Sequence, residues 1–280
     1  MPQRYGLLGW PVNHSVSPQM QGAGFAACGL DATYELLPVH PDDLAAKVTW
    51  MKAEGFRGWN ITVPHKGGMF ELADEVSPAA RHAESVNTIL HDNGVLRGFS
   101  TDGYGLEMAI QEAFGTHIQG GEFIFWGTGG AARATAIHFA LEGANTITLV
   151  NRTLSKAEDL ATKLKGIAPG CDIRVYAPTD LQALQGQFHT ADTIIQCTSI
   201  GLKADDPISI PESLLKPGYR ILDMIYHPTR LLKVASKNGC NVADGRAMLL
   251  HQGVKSFSIW TDGLTPVEAM REGLDQALDS

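Results

Sequence analysis

Residues 122–153, EFIFWGTGGAARATAIHFALEGANTITLVNRT, constrain the fold more than any other stretch. They read as an apolar strand, a glycine loop, a helix and a second apolar strand. Two strands joined through a helix pair in parallel, because the crossover returns the chain to the same end of the sheet. Gly127-Thr128-Gly129-Gly130-Ala131-Ala132 matches G-x-G-x-x-A at the first strand–helix junction. There the first glycine makes the tight turn, the second lets a pyrophosphate approach the backbone, and the small third residue lets helix and strand pack. The helix N-terminus adds free N–H groups and a positive dipole end. This arrangement predicts a dinucleotide-binding layer.

The end of the second strand selects the dinucleotide. It reads Val150-Asn151-Arg152-Thr153. Sites for NAD usually place Asp or Glu here, where it grips the ribose hydroxyls. A carboxylate would repel a 2′-phosphate, whereas the planar fork of Arg152 attracts one. Lys156 follows one helical turn later and adds charge. The residues predict NADP over NAD.

The rest of the chain alternates in the same way. RYGLLG (4–9), TYELLPV (33–39) and GFRGWNITV (55–63) are strand-like. A helix from Ser17, with Ser17 suited to the N-cap and Pro18 to the first turn, and another over 41–55 separate them. Residues 87–100 read as a hairpin turning at Asn93-Gly94. Further strands lie at 173–177, 192–199 and 219–226, and helical stretches at 229–239, 247–260 and 265–278. The pattern predicts an α/β protein with parallel sheets covered by helices on both faces. We expect an N-terminal α/β domain of residues 1–103 completed by 247–280, and a Rossmann-type domain of residues 104–246. The C-terminal helices return to the first domain.

Composition narrows the partners. A net charge of −8 argues against nucleic acid or an anionic membrane surface. No run of about 18 apolar residues is present, as a membrane span needs. The segment MPQRYGLLGWPVNHS lacks an apolar signal region. The cysteines Cys28, Cys171, Cys197 and Cys240 are far apart, with no CxxC pair and no metal-ligand spacing. These features predict a cytoplasmic protein with reduced thiols and no metal. A monomer and a homodimer both fit.

The N-terminal half concentrates polar residues at strand ends. GWPVNHSVSP presents Ser15 and Ser17, and NITVPHK places Asn60, Thr62 and Lys66 where a buried strand stops. Asn87 follows at ESVNT, and Asp102 opens a helix at STDG. Taken singly, each suits an N-cap, a turn or a solvated helix start. His14 and His65 read as structural.

In their order, HSVSP, NITVPHK, VNT, STDGYG, GTGGAAR, NRT and DGRAMLLHQG resemble the shikimate dehydrogenase family, over about residues 6–263. The resemblance implies NADPH-linked reduction of 3-dehydroshikimate to shikimate in aromatic amino-acid precursor synthesis, in a cleft between a substrate domain and a Rossmann domain. It implies that Lys66 and Asp102 are the catalytic pair. Ser15 and Ser17 would bind the substrate carboxylate, with Thr62, Asn87 and Gln252 on its carboxylate or ring hydroxyls and Tyr226 near it. Gly127, Thr128, Gly129, Gly130, Ala131, Asn151, Arg152, Thr153 and Lys156 would hold NADP, and Ile225 and Gly245 would lie near the nicotinamide. The residue types suit this chemistry. Hydride delivered to a ketone leaves negative charge on oxygen, which a lysine ammonium stabilises and protonates. Oxidation needs the neutral lysine and so favours high pH.

Two segments depart from the family pattern. Arg246 and Ala247 interrupt the usual DGLGML run, and Gln196 stands where the family commonly has a shorter asparagine. Both bear on packing around the cofactor. Two alternatives remain: a quinate/shikimate dehydrogenase of broader specificity, and a non-catalytic NADP-dependent sensor on the same scaffold. The first is told by turnover with quinate, the second by binding without turnover.

Overall fold

Buried aromatic and β-branched residues build two separate sheets, each the centre of its own unit. The computed structural model describes residues 2–279. The chain up to Gly105 and from Leu250 onward forms one unit, and Leu106–Leu249 the other.

The first unit runs β1 (Gln3–Gly9), α1 (Ser17–Ala27), β2 (Ala32–Pro38), α2 (Leu44–Ala53), β3 (Phe56–Ile61), α3 (Lys66–Leu72), β4 (Glu75–Val76), α4 (Pro78–Ala83), β5 (Thr88–Asp92) and β6 (Val95–Phe99). Its strand order is β2-β1-β3-β5-β6-β4. This sheet is mixed rather than wholly parallel: β5 runs antiparallel to β3 and to β6. The cause is local. Asn93 (φ 50°) and Gly94 (φ 86°) both adopt left-handed backbone, the requirement of a two-residue hairpin turn. The register sets Asn60 opposite Thr88. One face is filled by Leu8, Trp59, Met51, Phe56 and Ile89 among others.

The chain leaves through α5 (Asp102–Phe114) and returns through α10 (Arg246–Trp260), followed by α11 (Val267–Leu278). The returning helices cover the other face of the first sheet. Tyr5 stacks on Phe25 at 4.9 Å between ring centres, and Phe25 meets Phe257 at 5.0 Å. Trp260 Nε1 donates to the Ile89 carbonyl at 2.8 Å, close over Gly58, where any side chain would strike the indole.

The second unit contains β7 (Glu122–Trp126), α6 (Gly130–Leu141), β8 (Thr146–Val150), α7 (Leu154–Ile167), β9 (Asp172–Tyr176), α8 (Leu181–Thr190), β10 (Thr193–Gln196), β11 (Arg220–Asp223), α9 (Arg230–Lys237) and β12 (Asn241–Ala243). All six strands are parallel, in the order β12-β11-β10-β7-β8-β9. Trp126 pairs with Val150 and with Gln196, and Gln196 with Asp223. Four strands therefore end in one row, the edge at which open parallel sheets bind ligands.

Candidate active site

In the first unit, Lys66 and Asp102 stand at two helix starts and meet. Lys66 Nζ lies 2.6 Å from Asp102 Oδ2, with the side chains 25% and 10% exposed. The ammonium is reachable by solvent while the carboxylate is almost enclosed. Asn87 Nδ2 donates to Asp102 Oδ1 at 2.8 Å and to Thr101 Oγ1 at 2.9 Å. The Thr101 backbone N–H donates to Asn87 Oδ1 at 2.9 Å. A backbone N–H can only donate, so it fixes which end of the Asn87 amide faces the carboxylate. Asn87 is thus engaged by the protein's own groups, and both oxygens of Asp102 are held.

A second buried amide extends this frame. Asn60 Nδ2 donates among Ser256 Oγ (2.9 Å), Thr88 Oγ1 (3.1 Å) and the Asn87 carbonyl (3.1 Å). Thr88 and Ser256 are both fully buried and lie 2.7 Å apart. The Gln252 carbonyl on α10 accepts from Thr101 Oγ1 and Ser256 Oγ at 3.1 and 3.0 Å. The Tyr34 hydroxyl donates to Asn60 Oδ1 at 2.8 Å, and Tyr34, Thr88 and Ser256 were not singled out in the sequence. Ser256 carried one signal: a hydroxyl among the buried Val254, Phe257 and Trp260 of α10.

Ser15 Oγ donates to Ser17 Oγ at 3.1 Å. Ser17 is the first helical residue rather than the N-cap. Val16 caps α1 without a side-chain bond, and it is the Ser15 hydroxyl that accepts from the Ser17 N–H, at 3.2 Å. Thr62 follows β3 directly, its N–H bonded to the Leu8 carbonyl at 2.8 Å. His65 is buried, bonding the Val39 carbonyl through Nε2 at 2.7 Å, and His14 is exposed.

In the second unit, Gly127 turns the chain with φ 108°, a conformation that other residues strongly resist. Gly129 and Gly130 are exposed, and nothing lies within 4 Å of where their side chains would be. Thr128 Oγ1 is buried and has no hydrogen-bond partner among the described residues. Open glycines at the start of α6, beside an unanswered hydroxyl, fit a dinucleotide pyrophosphate. Asn151 Nδ2 donates to the Thr153 carbonyl at 2.8 Å, holding the turn from which exposed Arg152 and Lys156 project. These cations fit a 2′-phosphate.

Of the departures, the Gln196 side chain is the well-seated one. Gln196 is fully buried; its Nε2 donates to the carbonyls of Thr198 (3.1 Å) and Ile200 (3.0 Å), and its Oε1 accepts from the Thr198 N–H at 2.7 Å. The longer side chain thus braces the loop that packs on Gly127. Arg246 turns back toward Asp244, its Nε 3.7 Å from Oδ2. Asp223 is fully buried. Its Oδ1 accepts from the Ile225 N–H at 3.1 Å and its Oδ2 from the Thr229 hydroxyl at 2.7 Å. Burial pushes its carboxyl above the usual range, with Asp244 adding to the rise and the two hydrogen bonds and His227 opposing it. Asp223 holds the turn that presents Ile225 and Tyr226. The Gly245 N–H bonds the Ile225 carbonyl at 3.0 Å, and any side chain on Gly245 would strike the Met224 carbonyl. Among the described residues no group of three His, Cys, Asp or Glu side chains could hold a metal, and no helix is long and apolar enough to cross a membrane.

Comparison with known proteins follows this division. Residues 7–89 match the family described as shikimate dehydrogenase substrate binding domain. Residues 109–205 match shikimate / quinate 5-dehydrogenase, and residues 245–273 the shikimate 5'-dehydrogenase C-terminal domain. The shikimate dehydrogenase (NADP(+)) of Rubrobacter xylanophilus is 39% identical over 96% of this chain and 94% of its own. That of Moorella thermoacetica is 38% identical over 97% and 92%. The solved shikimate 5-dehydrogenase of Listeria monocytogenes, in complex with shikimate and NAD, superimposes with a TM-score of 0.91 at 34% identity, covering 97% of this chain and 96% of that one.

Proposed function

The chain belongs to the shikimate dehydrogenase family, and from that premise we propose that it reduces 3-dehydroshikimate reversibly to shikimate with NADPH, using Lys66 as proton donor and Asp102 as its partner. The observation that carries the assignment is the 2.6 Å contact between Lys66 Nζ and Asp102 Oδ2, with the lysine the more exposed of the two.

When bound, NADPH supplies the hydride to the ring carbonyl carbon. Negative charge then gathers on the carbonyl oxygen, and Lys66 donates a proton there. Asp102, clamped by Asn87, aims the ammonium. The neutral lysine is reprotonated from solvent through its exposed part. In the reverse direction neutral Lys66 removes the hydroxyl proton, so oxidation favours alkaline pH. Ser15 and Ser17 hold the substrate carboxylate. Thr62 and Gln252 complete its polar surroundings. Such a site disfavours analogues that leave its buried groups unpaired.

The unit containing Leu106–Leu249 is proposed as the NADP-binding domain and the other as the substrate domain. The glycine loop cradles the pyrophosphate, and Arg152 with Lys156 takes the 2′-phosphate. A cytoplasmic location suits four free cysteines, of which Cys171 has its thiol pushed up to about 11 by burial.

The test is NADP reduction by purified protein with shikimate at mildly alkaline pH, with quinate and NAD alongside. Turnover with shikimate and NADP supports the reading. Preference for quinate with NAD would move the assignment to the broader ring-acid enzyme. Ligand binding with no turnover would leave only the sensor.

A further inference from the structure

Ser256 comes from the returning helix α10, 196 positions from Asn60, and is fully buried. Gln252 stands one helical turn before it and is half-buried. Residues four apart share a helix face, so an enclosed hydroxyl lies on the same face as the amide placed around the substrate above.

The hydrogens around this hydroxyl can be counted. The Asn87 backbone carbonyl only accepts, so the Asn60 atom 3.1 Å from it is Nδ2. The same Nδ2 reaches Ser256 Oγ at 2.9 Å, its shortest contact, and Ser256 accepts there. Ser256 and Thr88 lie 2.7 Å apart and share one hydrogen. Thr101 Oγ1 accepts from Asn87 Nδ2, and its own hydrogen reaches the Gln252 carbonyl at 3.1 Å or Asn87 Oδ1 at 3.3 Å. Two settings give the 2.7 Å contact a hydrogen and each of these two carbonyls one. In the first, Ser256 donates to Thr88, Thr88 to Asn87 Oδ1 and Thr101 to the Gln252 carbonyl. In the second, Thr88 donates to Ser256, Ser256 to the Gln252 carbonyl and Thr101 to Asn87 Oδ1. In both, Ser256 accepts from Asn60 and is bonded to Thr88, so it joins α10 to the sheet.

We propose that Ser256 is a positioning residue for Gln252: its hydroxyl fastens α10 to Asn60 and Thr88, so that the Gln252 amide meets the substrate at a set distance from the Lys66–Asp102 pair. This rests on the functional reading above, which gives Gln252 a place around the substrate. Asp102 is held from the same cluster, through Asn87 Nδ2. The substrate's polar surroundings and its proton donor therefore share one frame. These bonds form when the chain folds, so substrate binding does not bear the cost of ordering α10.

Ser256→Ala removes the hydroxyl. The Gln21 amide still donates to the Gly253 carbonyl and the Trp260 indole to Ile89, which keeps α10 on the sheet. Shikimate oxidation with NADP is measured for wild type, Ser256→Ala, Gln252→Ala and the double variant. Ser256→Ala alone should lose about tenfold in kcat/KM for shikimate, the effect of one buried hydrogen bond. The KM for NADP should stay near that of wild type. In the Gln252→Ala background the same change should lose less than about twofold further, because the amide it positions is gone. Denaturant titration should show the same destabilisation by Ser256→Ala in both backgrounds. Ser256→Cys refills the space with a weakly hydrogen-bonding thiol and should stay as slow as alanine. Recovery of the rate by cysteine would mean that Ser256 only fills space, and the proposal fails. Equal fold losses in kcat/KM in the two backgrounds would make the role structural, and no loss would remove Ser256 from the site. Should Ser256→Ala not melt cooperatively, Ser256→Cys takes its place in the cycle and the same comparison decides. If wild type itself fails to oxidise shikimate, the functional reading fails first and takes this proposal with it, an outcome seen before any variant is measured.

Discussion

Asn87 Nδ2 and Asp102 Oδ1 lie 2.8 Å apart, on the far side of the carboxylate from Lys66. Asp102 is therefore gripped twice: by an amide that cannot rotate, because a backbone N–H fixes its other end, and by the lysine it aims. Hydrogen bonds to an ionised partner are roughly twice as strong as neutral ones. The pair is thus pre-arranged in the folded chain, and little reorganisation is left for the moment of reaction.

Lys66→Ala should lower kcat for shikimate oxidation by about 10²- to 10⁴-fold, the usual contribution of a general acid–base group. The dissociation constant for NADP, measured by calorimetry, should stay near that of wild type, because the glycine loop and Arg152 belong to a different unit. Near-normal turnover would remove Lys66 from the mechanism.

Local physics explains what could be read in the sequence. The hairpin at Asn93-Gly94 and the turn at Gly127 were legible because only certain residues adopt positive φ. The β7–α6–β8 crossover was legible from its alternation. Lys66, Asp102 and Asn87 were identified through resemblance and not through spacing, since 36 residues separate the pair that touches. The bond from Asn60 to Ser256 spans 196 positions and the step from Tyr34 to Asn60 spans 26, and no periodicity links such residues. The strands β4 and β12 have two and three residues, too short for any alternation to register. Ser17 was misplaced by one residue, because its neighbour Ser15 supplies the oxygen that a cap would have provided.

Arg152→Ala should raise the KM for NADP while changing that for NAD little. A charge-assisted bond to phosphate is worth about 1.5–3 kcal/mol when enclosed. Arg152 is exposed, so the lower end applies, roughly tenfold in KM. The effect should shrink as salt is added, because exposed charges are screened. Steady-state kinetics with both cofactors at two salt concentrations checks this. Equal effects on NAD and NADP would refute a 2′-phosphate contact.

Gln196→Asn tests a brace that the shorter amide cannot reach. Removing one methylene withdraws the amide by about 1.5 Å. The bonds to Thr198 and Ile200 are then lost together. A buried amide left unpaired costs about 1–3 kcal/mol, which a denaturant titration will resolve. Since Thr198 packs on Gly127, the KM for NADP should rise several-fold while that for shikimate stays unchanged. Unaltered stability and cofactor affinity would mean that the loop holds itself.

Asp223→Asn should change how stability depends on pH. Burial raises the Asp223 carboxyl above its ordinary value of 3.8. The folded chain therefore binds this proton more tightly than the unfolded chain does. Its contribution to stability is fully present below pH 3.8 and is lost as pH rises through the raised folded value. Asparagine keeps an acceptor for the Ile225 N–H but has no proton to lose. The melting temperature of the variant minus that of wild type should therefore increase from acid toward neutral pH. Thermal melts at several pH values between about 4 and 7 will show the trend. A difference that stays constant would mean that Asp223 titrates alike in both states, and that its two hydrogen bonds, with His227 opposite, offset its burial in full.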